Sequence, residues 1–217
     1  MRDLLSETFQ AVLFDNDGTL TDSRAAVQRA WAAWAEHHAV DPAALVGFHG
    51  VPSSSIVRQV AGHLDVVAAT ADIDRRELED VDGVVALPGA AEALAAAGER
   101  AAIVTSATLE LASARLRAAG LTPPAAVVTS DDIVRGKPDP EPFLVGARKL
   151  GADPARCLVV EDAPAGLEAG RAAGAATLAV VTTSTREELE QLADLVVEDL
   201  SEVAFEVSED GVRLVLR

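Results

Sequence analysis

Asp15 and Asp17 stand on either side of one residue in Asp15-Asn16-Asp17-Gly18-Thr19, directly after the apolar run Ala11–Phe14. Two carboxylates on so tight a turn can face a common point, one attacking as a nucleophile while the other handles a proton. An Asx turn with solvated acids is the plainer alternative. Thr105 and Ser106 close a second apolar run and precede a helical segment. Hydroxyls and free amides there bind an anion with help from the helix dipole, although Ser106 or Thr108 would equally serve to cap the helix. Lys137 sits in Arg135-Gly136-Lys137-Pro138-Asp139-Pro140, where two prolines fix the backbone and present the ammonium. Glu161 and Asp162 follow a further apolar run and suit a hard cation, or Asp162 caps the helix that Pro164 begins.

If these four strand ends meet, four carboxylates face a single lysine. Such a cluster resists ionisation and opposes folding unless a divalent cation joins it, so Mg²⁺ is expected. The cation would also let an anionic substrate approach a chain with 35 acidic and 18 basic residues. Positioning and charge neutralisation would then be the chemistry supplied.

The elements that must position these residues are legible in outline. From Ser23 to about Leu87 no clear strand appears; helical spacing runs over Ala25–His37, with Trp31 and Trp34, and more weakly over Ser54–His63 and Arg75–Val81. After Pro88, strands expected at Arg100–Thr105, Ala126–Val128, Cys157–Val160, Thr177–Val181 and Leu195–Val197 alternate with helices. Continuous apolar strands in such alternation predict a Rossmann-like, doubly wound α/β fold with a parallel sheet, whose ligand crevice lies at the carboxyl ends of the strands. Val203–Val207 and Val212–Leu216, around Glu209-Asp210-Gly211, predict a C-terminal β-hairpin closing the sheet edge. The all-helical unit is thus inserted between the first and second strands.

Composition excludes several classes. The net charge of −17 repels nucleic acid and anionic membrane surfaces. No apolar run approaches a bilayer span, and the first residues lack the apolar region of a secretory leader. Cys157, the single cysteine, is expected to be a buried thiol in a reducing compartment, so a cytoplasmic protein is expected. His37, His38 and His63 show no metal-ligand spacing and are expected at the surface, with Asp131-Asp132 as solvated acids.

The order Phe14-Asp15-Asn16-Asp17-Gly18-Thr19-Leu20, Ile103-Val104-Thr105-Ser106, Gly136-Lys137-Pro138 and Val160-Glu161-Asp162-Ala163 resembles the four motifs of the haloacid-dehalogenase-like hydrolase superfamily over essentially the whole chain. The resemblance extends to the branch containing glycerol-3-phosphate and 2-deoxyglucose-6-phosphate phosphatases. It implies a discontinuous catalytic core (1–22 and 87–217) and a helical cap (23–86) that closes over substrate. It also implies a Mg²⁺-dependent phosphatase for a small sugar or polyol phosphate, expected to act as a monomer. In that scheme Asp15 forms an aspartyl-phosphate and Asp17 is the acid and base. Thr105, Ser106 and Lys137 hold the phosphoryl oxygens. Asp15, the backbone carbonyl of Asp17, Asp162 and Glu161, directly or through water, hold the metal. Substrate contacts are expected from the cap through His49, Gly50, Ser53 and Arg58, with Trp31 and Trp34 as cap packing. Asp17 argues against dehalogenation, and a cap without lysine argues against phosphonate cleavage. Ser53 and Val27 fall where phosphoglucomutase relatives carry an arginine and a histidine. A phosphosugar mutase and a non-catalytic phosphate-binding protein are the alternative readings.

Overall fold

Apolar runs bounded by glycine and proline become strands in the computed structural model, which describes residues 2–48 and 51–217. In chain order these residues form β1 (Ala11–Phe14), β2 (Thr21–Asp22), α1 (Arg24–His38), α2 (Ser53–Ala61), α3 (Val66–Glu79), β3 (Val85–Ala86) and α4 (Ala90–Ala97). There follow β4 (Ala101–Val104), α5 (Leu109–Ala118), β5 (Ala126–Val128), α6 (Glu141–Lys149), β6 (Cys157–Glu161), α7 (Pro164–Ala172) and β7 (Ala176–Val180). The chain closes with α8 (Arg186–Glu190), β8 (Leu195–Val197), β9 (Val203–Ser208) and β10 (Gly211–Leu216).

Among the described residues the main sheet is six-stranded and parallel, in the order β5-β4-β1-β6-β7-β8. The connections leave β1 toward both edges, which opens the crevice at its carboxyl end. Phe14 pairs with Ile103 on one side and Val160 on the other, so Asp15, Val104 and Glu161 lie at one level. Both faces of the strands are buried. Val12, Phe14, Ile103, Val160 and Leu178 pack with Leu94 of α4 and Leu116 of α5, whereas Leu13, Val104 and Val159 pack with Phe143 of α6 and Ala169 of α7.

The hairpin β9–β10 forms, but it does not extend the sheet edge as expected. It is a separate two-stranded sheet lying over the β1 face. Phe205 meets Phe14 edge-on at 5.5 Å, and Val212 bonds back to Phe9. Burying an aromatic and several aliphatic side chains on that face stabilises more than hydrogen-bonding an exposed edge strand.

The helices α1, α2 and α3 leave and rejoin the sheet through the short pair β2–β3, Thr21 opposite Ala86 and Asp22 opposite Val85. They enclose a small core of Ala30, Trp34, Val57, Ala61, Ala69 and Ile73. Sequence reading places the third helix at Arg75–Val81, yet it begins at Val66, where the Asp65 carboxylate accepts from the Val67 and Ala68 amides. Val66, Val67 and Thr70 weaken its intrinsic propensity, so the cap and packing, rather than composition, fix this start. Trp34 is fully buried and its indole N–H donates to the Ala69 carbonyl at 2.8 Å. Trp34→Ala is expected to cost roughly 3–5 kcal/mol in denaturant-induced unfolding; a loss below about 1 kcal/mol would show that this helical core is not cooperative with the rest.

Candidate active site

The site begins at the carboxyl end of β1. Asp15 continues the strand ladder, its amide donating to Val160 at 2.9 Å, and its side chain is nearly buried. The chain then turns sharply at Gly18, whose φ of +92° places a hypothetical Cβ 2.1 Å from Asp162 Oδ2. Glycine is required there both for the backbone conformation and for the close approach of Asp162.

Lys137 reaches the same point from the loop before α6. Its Nζ donates to Asp15 Oδ1 at 2.6 Å, to Glu161 Oε1 at 2.6 Å and to the Val104 carbonyl at 2.9 Å, and lies over the Phe143 ring at 5.1 Å. All three N–H groups of the ammonium are therefore used. Lys137 lies behind Asp15 and not on the cavity wall, so the expected contact with a phosphoryl group requires one of these bonds to be exchanged. Glu161 completes the anchor: its Oε2 accepts from the amides of Asp162 and Ala163 at 3.0 and 3.2 Å. Asp162 accepts from the hydroxyls of Thr19 and Thr183. It does not cap α7, whose N-cap is Ala163.

Asp17 points elsewhere. Its Oδ1 lies 3.0 Å from Arg115 Nη1 and accepts from the Ser23 hydroxyl at 2.7 Å. Arg115 also pairs with Glu77 of α3 at 3.1 Å. The count of one lysine against four acids thus omitted a second cation. Arg115 occupies the buried stripe of α5 with Leu111, Ala112 and Leu116, and Glu77 the buried stripe of α3 with Ala69 and Ile73. A charge on an apolar helical stripe is the sequence signal that could have found both.

A cavity of about 590 Å³ opens above Asp15, between the sheet and the inserted helices. Thr105 and Ser106 line its floor; Thr105 Oγ1 accepts from the Ala107 amide, while Thr108 is the residue that caps α5. Ser53, Val27 and Trp31 line the far wall. Ser53 donates to Asp74 at 2.6 Å. Both tryptophans pack in the inserted helices, Trp31 edge-on against Trp34 at 5.3 Å, but Trp34 is fully buried whereas half-buried Trp31 also lines the cavity. Arg58 lies on the exposed side of α2 and outside the cavity lining. His49 and Gly50 lie outside the described residues. Asp131 is engaged, accepting from the Leu109 amide at the cavity edge. His38 is half-buried against Asp72 at 3.2 Å, a pairing across α1 and α3 that local spacing does not reveal.

Burial dominates the electrostatics. It pushes the Asp15 carboxyl up to about 7 against the pull of Lys137, with Glu161 adding to the rise. Burial also raises Asp162 well above the carboxylate range, aided by Glu161 and Asp15. For Lys137 burial acts downward, but Asp15 and Glu161 outweigh it and hold the ammonium protonated. Asp15, Glu161 and Asp162 present oxygens within 4.8 Å of one another. Three buried hard-oxygen donors around one ammonium are a charge imbalance that a small divalent cation relieves, so the residues present fit Mg²⁺.

This arrangement, on a parallel sheet with inserted helices, defines a class. The chain belongs to the haloacid dehalogenase-like hydrolases, whose pattern it matches over residues 9–174. Among its relatives, it is 40% identical to hexitol phosphatase A of Escherichia coli K12 over 206 residues, 92% of this chain and 95% of that one. It is 34% identical to validoxylamine A 7'-phosphate phosphatase of Streptomyces hygroscopicus subsp. limoneus, covering 91% of this chain and 97% of the other. The crystal structure of a hydrolase from Pseudomonas syringae superimposes with a TM-score of 0.81 at 28% identity, over 88% of this chain and 94% of that one.

Gly166, on the first turn of α7, offers a direct check of the Lys137 anchor. A Cβ there would sit 1.8 Å from Glu161 Oε1. Gly166→Ala is expected to displace Glu161 and lower unfolding stability by about 1–3 kcal/mol, despite alanine's better helix propensity. A variant as stable as wild type in a denaturant titration would mean that Glu161 is not held as described.

Proposed function

We propose that the chain is a phosphatase that removes the phosphoryl group from a small sugar or polyol phosphate by way of a covalent phosphoryl-Asp15. The observation that carries this reading is Asp15 at the cavity floor with one carboxylate oxygen fixed by Lys137 at 2.6 Å. Fixing Oδ1 leaves Oδ2 to attack phosphorus, and the ammonium opposes protonation of the nucleophile. As the P–O bond to the alcohol breaks, Asp17 gives its proton to the departing oxygen. Asp17 then takes a proton from a water that attacks phosphorus, releasing phosphate and restoring Asp15. Thr105 and Ser106, at the turn into α5, bind the phosphoryl oxygens with the helix dipole behind them. Mg²⁺, held by Asp15, Asp162 and the Asp17 backbone carbonyl with Glu161 behind them, would supply charge neutralisation on the phosphoryl oxygens.

The substrate class is supported by the opposite wall. Asp74 and Glu77 of α3 line it with Ser53, Asp131 stands at the cavity edge, and burial raises the Asp74 and Glu77 carboxyls. With Glu77 paired to Arg115, Asp74 and Asp131 are the acids left to accept hydrogen bonds from substrate hydroxyls. A neutral polyhydroxy body with one phosphate fits that chemistry, as the name of the hexitol relative also suggests. Val27 and Ser53 on this wall provide neither the imidazole nor the guanidinium of the mutase relatives, which favours hydrolysis over isomerisation. The inserted helices would act as the cap that excludes water until the alcohol has left. The cytoplasmic setting rests on Cys157, whose thiol burial pushes up to about 12 and which has no second cysteine to pair with. Among the described residues no helix is long and apolar enough to cross a membrane.

The test is phosphate release from a panel of sugar and polyol phosphates, with Mg²⁺ or EDTA, for wild type and Asp15→Asn. Magnesium-dependent turnover that falls by a factor on the order of 10³ or more in the variant is expected. A folded wild type that releases no phosphate from any ester would overturn the proposal.

A further inference from the structure

Arg115 is 4% exposed and sits where three parts of the chain meet: its own helix α5, the loop after β1, and α3 of the inserted helices. One guanidinium nitrogen, Nη1, holds Asp17 Oδ1 at 3.0 Å, and the other, Nη2, holds Glu77 Oε1 at 3.1 Å. Glu77 is itself nearly buried, and α3 packs directly on α5. On the opposite side Asp17 Oδ1 accepts from Ser23, the residue that leads into α1. The Asp17 carboxylate is thus gripped between Arg115 of α5 and Ser23 at the entry to the inserted helices. An arginine fork presented to a lone carboxylate prefers to bind it bidentately. With Glu77 holding Nη2, Arg115 meets Asp17 through Nη1 alone and keeps its Nε buried without a hydrogen-bond partner among the described residues, so the pull of Glu77 on the fork sets how the Asp17 carboxylate is held.

We propose that Glu77 is a positioning residue for proton transfer: through Arg115 it orients Asp17, so that docking of α3 on α5 completes the geometry in which Asp17 meets the departing oxygen. This rests on the reading of Asp17 as acid and base given above. Without the Glu77 carboxylate, Arg115 turns both nitrogens onto Asp17 and draws it away from the reacting atoms. Glu77→Gln keeps the volume of the side chain but exchanges the charged acceptor for a neutral amide oxygen, which weakens the hold on Nη2 and leaves Arg115 paired with Asp17, so the fold is expected to persist.

The experiment compares kcat and KM of wild type, Glu77→Gln, Asp17→Asn and the double variant. Each is assayed on the best alkyl phosphate of the panel and on p-nitrophenyl phosphate, whose leaving group departs without a proton. Glu77→Gln is expected to lower kcat/KM on the alkyl ester roughly 10–100-fold, as misplacement of a reacting group does, with kcat/KM on p-nitrophenyl phosphate little changed. In the Asp17→Asn background the same substitution is expected to cost nothing further, because its effect passes through Asp17. Wild-type kcat/KM in Glu77→Gln, equal losses on both esters, or additive losses in the double variant would overturn the proposal. Should Glu77→Gln fail to fold, Glu77→Asp, which keeps the charge but shortens its reach, is expected to give the same split between the two esters. Failure of the underlying reading is separable: full activity in Asp17→Asn sinks both, whereas an inactive Asp17→Asn beside an unimpaired Glu77→Gln sinks this inference alone.

Discussion

A single buried ammonium holds the site together. Lys137 Nζ, with no exposed side-chain surface, bridges Asp15 and Glu161 at 2.6 Å each. A lone lysine at that depth would lose its proton or unfold the site, and two adjacent carboxylates there would repel. Each makes the other tolerable. Glu161 spends its second oxygen on two backbone amides at the start of α7, which locks the ammonium in place and leaves Asp15 as the carboxylate facing the cavity. The sheet serves this contact: β1 between β4 and β6 is what brings Asp15, the Val104 carbonyl and Glu161 to one level.

The second acid is managed by a second cation. Asp15 and Asp17 are neighbours in the chain, yet one is tied to Lys137 beneath the floor and the other to Arg115 beside the inserted helices. Two carboxylates in one cavity thus have different counter-charges, which is what the proposed division into nucleophile and proton carrier requires. The separation also links chemistry to architecture, since Arg115 is shared with α3.

Much of this was legible in the residues. The strands of the sheet read clearly because parallel strands buried on both faces are continuous apolar runs; Asp15, Glu161 and Asp162 stand out as charges at the ends of such runs, and Lys137 as a lysine braced by two prolines. Asp17 stands out in the sequence but its partner does not, because Arg115 lies far along the chain within a helix that otherwise reads as ordinary. The onset of α3 was missed because Val66, Val67 and Thr70 disguise a helix that Asp65 initiates. The hairpin was recognised and misplaced, for alternation shows that two strands pair but not which surface receives Phe205. Trp31 and Trp34 are three residues apart on one helix and pack together, and only the tertiary structure shows that Trp31 also lines the cavity.

Burial and mutual repulsion raise the Asp15 and Asp162 carboxyls beside Glu161 and Lys137, so a divalent cation bound among these oxygens is expected to stabilise the fold. Thermal unfolding of wild type and Asp162→Asn, each in Mg²⁺ and in EDTA, tests it without reference to turnover. At about a hundredfold excess of Mg²⁺ over its Kd, the wild-type midpoint should rise by roughly 5–10 °C, and the shift should vanish in Asp162→Asn. A wild-type midpoint identical in Mg²⁺ and EDTA would contradict the account.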